Sequence, residues 1–218
     1  MHEKLSDIKY YVFDFDGTLT DSINIWETID LQVYSQFNIP YDLEKHFQVT
    51  MGFSMFDIAS WIIQYNKLSN VKPEQIMDAY RTHSESIFAT QIKFVPGAEK
   101  FLNYLIAQNI PFGIATASPI YVIDAFLNNY QSIKKHVQAV VSCDDVGKSK
   151  PDPAVYLECM KRIGAEPSQC AVFEDSLHGL QGAVNSGCLV VGILTDKRMY
   201  DQKKHLCMIE IQSYEELF

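Results

Sequence analysis

The chain has 218 residues, 47% hydrophobic and 21% charged, a balance that excludes intrinsic disorder and fibrous repeats and suits one large domain or a domain with an insert. Its five cysteines (Cys143, Cys159, Cys170, Cys188, Cys207) are widely spread with no CxxC pair, and read as reduced, mostly buried thiols in a chain long enough to need no disulfide or zinc staple. The formal net charge of −9 repels nucleic-acid phosphates, and the longest apolar runs, "CLVVGIL" and "SWII", fall far short of the ~20 residues that cross a bilayer.

The opening "MHEKLSDIKYY" carries no apolar secretory segment, so a cytoplasmic location is expected. Residues 8–16, "IKYYVFDFD", are rich in β-branched and aromatic types and too short for a helix, which predicts a buried strand. Between residues 22 and 92 the pattern changes. "SINIWETIDLQVYSQFN", "MFDIASWIIQYNKL" and "KPEQIMDAYRTHSESIFATQI" space their apolar residues as helices do, and no strand run interrupts them. A helical insert after the first strand is the simplest arrangement. Its cations are Lys45, Lys67, Lys72 and Arg81, against eight Asp and Glu.

From residue 93 onward strand and helix alternate. "PGAEKFLNYLIAQN" predicts a helix and "PFGIATAS" (111–118) a strand. "SPIYVIDAFLNNY" predicts a helix with Ser118 as N-cap and Pro119 at its first position. "QAVVSCD" (138–144) is the next strand, and "DPAVYLECMKRIG" the next helix, opened by Asp152 and Pro153 and stopped at Gly164. "CAVFED" (170–175) and "CLVVGIL" (188–194) are further strands. They flank the helix "SLHGLQGAVNSG", whose Gly179, Gly182 and Ala183 suit close packing on a sheet. The basic stretch "DKRMYDQKK" reads as a solvated helix face, and the tail "MIEIQSYEELF" as an edge strand with a short helix, or as a docking segment. Near-continuous apolar strands separated by helices predict an α/β fold: a doubly wound parallel sheet, with core residues 1–20 and 93–218 and a helical domain over 21–92.

Side chains alternate faces along a strand, so Asp14 and Asp16 share one side at the end of the first strand, where such sheets bind ligands. Taken alone, the pair fits a turn cap equally well, because Asp-Gly is favourable turn chemistry. The other strand ends decide between the two. They present Thr116 in "IATAS", Lys150 after "GKS", and Glu174 with Asp175 in "VFEDS". Each has a local explanation as cap or surface residue; their occurrence in order at four strand ends has one explanation, a shared crevice.

"DFDGTLTDS", "TAS", "KPDP" and "FEDS" resemble the four motifs of the haloacid dehalogenase-like superfamily, and the whole chain resembles the branch with a helical cap inserted after the first motif. The resemblance implies a Rossmann-like core with a small helical cap and Mg²⁺ as cofactor. It implies Asp14 as the nucleophile that becomes an aspartyl phosphate and Asp16 as general acid, then base. Thr116, Ala117 and Lys150 would bind the phosphoryl oxygens. The metal would lie on Asp14, Asp175 and the backbone carbonyl of Asp16, with Glu174 nearby as a further ligand, directly or through water. Physical chemistry agrees: Mg²⁺ prefers hard oxygen ligands, and a carboxylate attacking a phosphate dianion needs positive charge beside it.

Within that family the second acid, Asp16, argues against dehalogenation. The cap segment "TMGFSMFDI" has Met55 where imine-forming relatives carry lysine, and Trp26 stands where hexose-phosphate mutases carry histidine. A phosphatase acting on a small-molecule phosphate ester is therefore favoured over a β-phosphoglucomutase-like phosphotransferase or a catalytically idle binding protein, with neither nucleic acid nor membrane as partner. Trp26, Phe53 and Met55 are candidates to face the leaving group, or else belong to the cap's own core. His46, His83, His136, His178 and His205 lack zinc-site spacing and read as surface or half-buried residues, with His178 the one nearest the site.

Overall fold

Strand β1 (Tyr10–Phe13), the aromatic run near the head of the chain, lies inside a six-stranded parallel sheet in the computed structural model, which describes residues 2–195, 197 and 199–218. The other strands are β2 (Phe112–Thr116), β3 (Val137–Ser142), β4 (Cys170–Glu174), β5 (Leu189–Ile193) and β6 (Ile209–Ile211), in the order β3-β2-β1-β4-β5-β6. Phe13 pairs with Ile114 on one side and Phe173 on the other. The chain thus builds outward from β1 through β2 and β3, then returns to β1's other flank for β4. That reversal opens a crevice at the carboxyl ends of the central strands.

Both faces of the sheet are covered, which explains the unbroken apolar strands. On one face Tyr11 and Phe13 pack with Phe101, Phe173 and Tyr214, the Phe13 and Phe173 rings 4.9 Å apart. On the other, Val12, Ala115 and Val172 pack against Tyr156, Cys159 and Leu180. Of the cysteines, Cys143, Cys159 and Cys170 are buried, and all five are free thiols.

Helices α1 (Ile23–Gln36), α2 (Leu43–Thr50), α3 (Met55–Tyr65) and α4 (Pro73–Thr90) follow β1. The two chain segments that lead into and out of this helical block run side by side: the Asp21 amide donates to the Lys93 carbonyl at 3.0 Å, and the Val95 amide to the Leu19 carbonyl at 2.9 Å. Helix α2 is absent from the sequence expectations. It is short, and its start is marked by Asp42, whose side chain accepts the Lys45 amide at 3.0 Å. The remaining helices are α5 (Ala98–Ala107), α6 (Ile120–Leu127), α7 (Gln131–Lys134), α8 (Cys143–Val146), α9 (Ala154–Arg162), α10 (Leu177–Ser186) and α11 (Tyr200–Lys203).

Two local expectations are corrected. Ser118 does not cap α6: Pro119 holds that position and makes no side-chain capping bond. The basic stretch is not wholly solvated either. Lys203 is only 1% exposed, while Asp196 and Arg198 of the same stretch lie outside the described residues. The tail forms edge strand β6 and a short 3₁₀ turn, Tyr214–Leu217, with the Tyr214 ring stacked on Phe173. Among the described residues, no helix is long and apolar enough to cross a membrane.

Candidate active site

The Asp14 amide continues the β1–β4 ladder by donating to the Phe173 carbonyl, which fixes the carboxylate at the head of the crevice, 5% exposed. Lys150 reaches it from the loop beyond β3. Its Nζ donates to Asp14 Oδ1 at 2.6 Å and to Glu174 Oε2 at 2.7 Å, with 3% of the residue exposed. Glu174, the last residue of β4, is fully buried and accepts from every side. Oε2 also takes the Tyr156 hydroxyl of α9 at 2.7 Å, and Oε1 takes the amides of Asp175 and Ser176. Asp175 follows, its Oδ1 accepting the Thr18 hydroxyl at 3.1 Å. Gly17 passes so close that a Cβ there would lie 2.4 Å from Asp175 Oδ2, and its φ of +77° is one that glycine adopts without strain.

Asp16 has its own donors. Ser22 Oγ and Trp26 Nε1 each donate to Oδ1 at 2.6 Å, and Ser118 Oγ donates to Oδ2 at 2.5 Å. Thr116 is fully buried; its Oγ1 accepts the Ser118 amide at 2.9 Å, while Ala117 and Ser118 line the cavity beside it. The "TAS" motif therefore contributes a residue the sequence reading took for a helix cap.

Crowding sets the electrostatics. Burial, reinforced by the charge on Glu174 and resisted by Lys150, pushes Asp14 up to about 7. Burial raises Asp16 too, against the hydrogen bonds from Ser118, Ser22 and Trp26, and it raises Asp175 well above the usual carboxylate range, with Glu174 and Asp14 adding to the effect. Glu174 goes the other way: burial opposes its charge, but the Lys150 ammonium, with the hydrogen bonds from Tyr156 and the Ser176 amide, holds it below its ordinary value. Burial likewise opposes the charge on Lys150, yet Asp14 and Glu174 together raise it well above the usual lysine range.

These groups open onto a cavity of about 180 Å³ that runs from Asp14 and Asp16 into the helical block. Trp26, Phe53 and Met55, the residues expected to face a leaving group, all line it. The part of its wall that the helical block forms carries a polar cluster that the sequence reading missed. Asp30 of α1 accepts the Tyr80 hydroxyl on Oδ1 at 2.6 Å and the Tyr41 hydroxyl on Oδ2 at 3.1 Å, and His46 Nε2 lies 3.3 Å from Oδ2. His46 is thus neither isolated nor on the surface; burial pushes it down to about 4, and its Nδ1 pairs with the Tyr34 hydroxyl at 2.9 Å. His178 lies at the margin of the site, where its Nδ1 pairs with the Met51 carbonyl at 2.6 Å.

Carboxylate oxygens of Asp14, Glu174 and Asp175 lie within 4.8 Å of one another, all buried. This is a hard-oxygen donor set with more negative charge than Lys150 balances, and it fits a divalent cation such as Mg²⁺. Asp14 and Asp175 suit direct ligation. The acceptor positions of Glu174 are already occupied by four donors, so it acts on the site by holding Lys150 and the turn at Asp175–Ser176. The Asp16 side chain faces Ser22, Trp26 and Ser118, which leaves its backbone carbonyl as the only ligand it would offer a metal beside Asp14.

Other contributors carry no clear signal in the sequence. Tyr156 occupies an ordinary apolar position of α9, and Lys203, which also lines the cavity, sits in a run of charged residues.

A family model for haloacid dehalogenase-like hydrolases matches residues 11–193. The chain is 25% identical over 193 residues to fructose-1-phosphate phosphatase YqaB of Escherichia coli strain K12, covering 88% of this chain and 98% of that one. It is 21% identical over 206 residues to hexitol phosphatase B of the same strain, covering 94% and 92%. The crystal structure of CbbY from Rhodobacter sphaeroides in complex with phosphate shares the fold, with a TM-score of 0.84, 18% identity and 96% of each chain covered. With four strand ends converging on one acidic crevice and a family model that spans most of its length, this chain belongs to the haloacid dehalogenase-like hydrolases.

Proposed function

We propose that the protein is a Mg²⁺-dependent phosphatase that hydrolyses a small-molecule phosphate monoester through an aspartyl phosphate on Asp14, with residues 21–92 as a cap over the core. The observation that carries this reading is the pair of differently held acids: Asp14 on Lys150, and Asp16 on Ser22, Trp26 and Ser118. One is placed to attack and the other to carry a proton.

The Asp14 carboxylate attacks phosphorus, forming its own O–P bond as the bond to the leaving oxygen breaks. Lys150 and the Ala117–Ser118 turn steady the phosphoryl oxygens, with Thr116 bracing that turn through the Ser118 amide. Asp16 gives its proton to the leaving oxygen, then takes one from the water that attacks the aspartyl phosphate, which frees inorganic phosphate and restores Asp14. The hydroxyls of Ser22 and Ser118 can donate to the Asp16 carboxylate or accept from its acid form, so both states find partners. The Trp26 indole can only donate, which keeps Oδ1 ionic in character and leaves Oδ2 to carry the proton. Mg²⁺ on Asp14, Asp175 and the Asp16 carbonyl would offset charge on the phosphoryl oxygens.

A mutase must hold a substrate with a second phosphate. Among the described residues lining the cavity, Lys150 and Lys203 are the cations, and both come from the sheet-bearing part of the chain. This supports water as the acceptor.

A panel of phosphate esters, assayed with Mg²⁺ and with chelator, tests the reading. Mg²⁺-dependent phosphate release is expected, reduced by about 10³-fold or more in Asp14→Asn. Beryllofluoride, a mimic of a phosphoryl group on a carboxylate, should bind the wild type and not that variant. Folded, Mg²⁺-loaded protein that releases phosphate from no ester would favour the idle binding protein instead.

A further inference from the structure

Within the helical block Asp30, His46 and Tyr80 satisfy one another, and the group that the block sets beside Lys150 is a phenylalanine. We infer that the leaving group carries a flat, apolar ring, aromatic or heterocyclic, and that Phe53 is the residue that selects it. The inference rests on the phosphatase reading of the Asp14 end.

Phe53 is placed by its neighbours. The Gly52 carbonyl accepts the Lys150 amide at 3.1 Å and the Ser54 amide donates to Ser149 Oγ at 2.6 Å, so both flanking residues are tied down beside the lysine that holds Asp14. Gly52 passes so close that a Cβ there would lie 3.1 Å from the Cβ of Lys150. The Phe53 side chain lines the cavity, half-buried, yet among the described residues it packs into neither hydrophobic core and pairs with no other ring. A ring with a purely structural task would be packed on both faces. Met55, two residues on, shows the contrast: it also lines the cavity, but it is 4% exposed and belongs to the core.

Apolar neighbours continue the wall. Leu43 and Phe47, one turn apart on α2, and Ile58 of α3 line the cavity, and Leu43 is left 43% exposed. The Trp26 indole, tied to Asp16 through Nε1, flanks the acid that serves the leaving oxygen. The buried polar groups beside them answer one another instead. Asp30 accepts from Tyr41 and Tyr80, His46 pairs with Asp30 and Tyr34, and the Thr50 hydroxyl donates to the His46 carbonyl at 2.8 Å. A hydroxyl-rich leaving group would give up water against the Phe53 side of the cavity without new partners, whereas an apolar ring gains by leaving water.

The test compares kcat/KM with Mg²⁺ for benzyl phosphate and glycerol 1-phosphate, both esters of primary alcohols, so that the bond broken is matched and the ring is the difference. The wild type should prefer benzyl phosphate by about tenfold or more. Phe53→Ala should lower that preference by about tenfold, mainly through a higher KM for benzyl phosphate. Phe53→Leu, which keeps bulk without the flat face, should lower it by about threefold. Phe56→Ala is the control: Phe56, 50% exposed in the first turn of α3, is not on the cavity wall, so its loss should leave the ratio as it was. Equal turnover of the two esters by the wild type overturns the inference. So does a Phe53→Ala protein that loses activity on both esters alike, which would make Phe53 a brace for the loop over Lys150. Affinities for 2-phenylethylphosphonate and ethylphosphonate, neither of which is hydrolysed, read the same preference without turnover: about tenfold tighter for the ring in the wild type, and level in Phe53→Ala. Phosphate release from either ester separates failure of this inference from failure of the phosphatase reading, which would leave both esters intact and let the phosphonate affinities decide the ring.

Discussion

Glu174 shows how much of the site's geometry depends on one fully buried residue. It has no exposed surface and accepts from Lys150, Tyr156 and two backbone amides. Room for it comes from Gly179 in the first turn of α10, where a Cβ would lie 2.0 Å from Glu174 Oε2. The sequence suggests that this glycine eases helix-to-sheet packing; the structure shows it making space for a carboxylate. Gly179→Ala should therefore displace the carboxylate and loosen Lys150, costing about 1–3 kcal/mol in urea melts and at least about tenfold in kcat/KM. Gly164→Ala is the control. Gly164 has φ +73° and no heavy atom within 4 Å of a Cβ, so the same substitution there should lower stability by about 1 kcal/mol through backbone strain and leave kcat/KM as it was. A Gly179→Ala protein matching this control in both measurements would contradict the packing argument.

Helices α1 and α2 meet through a pair of groups that burial shifts in opposite directions. Asp30 is raised from 3.8 to about 6 by burial, against the hydrogen bonds from Tyr80 and Tyr41. His46 is lowered by burial from 6.5 to about 4. The unfolded chain binds a proton at His46 more tightly than the native one, so the stability from its neutral imidazole is whole above pH 6.5 and is lost as pH falls toward 4. The native chain binds a proton at Asp30 more tightly, so a penalty grows as pH rises from 3.8 to about 6. Each is worth on the order of 3 kcal/mol at full extent, and in the wild type the two slopes largely cancel. Single substitutions unmask them. Relative to wild type, His46→Gln should gain stability as pH is lowered through this window and Asp30→Asn as pH is raised, both read from urea melts at a series of pH values. Difference curves flat in pH would refute the assignment. None of this is legible in "LEKHFQVT", because α2 is too short and mixed for its periodicity to stand out, and a buried imidazole has no local signature.

At the scale of the molecule, what was legible is what the topology places at strand ends. Asp14, Asp16, Thr116, Glu174 and Asp175 fall in chain order at or just past strand ends, where the crevice rule brings them together, and Lys150 follows β3 beyond the short helix α8. Ser118, Tyr156, Lys203 and the Asp30 cluster were hidden because their roles depend on which helix face meets which loop, a contact between distant stretches that no local pattern encodes. The same holds for the seam between the helical block α1–α4 and the sheet. The loop joining α2 to α3 lies across the core: the Gly52 carbonyl accepts the Lys150 amide at 3.1 Å, the Ser54 amide donates to Ser149 Oγ at 2.6 Å, and Ser149 Oγ donates to Asp57. One serine hydroxyl thus serves two residues of the helical block, immediately beside the lysine that holds Asp14. Net values of about 0.5–1.5 kcal/mol per bond make this seam weaker than the packed core, so it should open without global unfolding. Ser149→Ala removes both bonds and should raise the open population by about tenfold. The amides of residues 51–57 should then exchange deuterium faster and KM should rise several-fold, while the thermal midpoint moves by only a few degrees. Unchanged exchange at 51–57 in a variant with raised KM would mean that Ser149 acts on the site through Lys150 alone, and that the seam is not what closes the cavity.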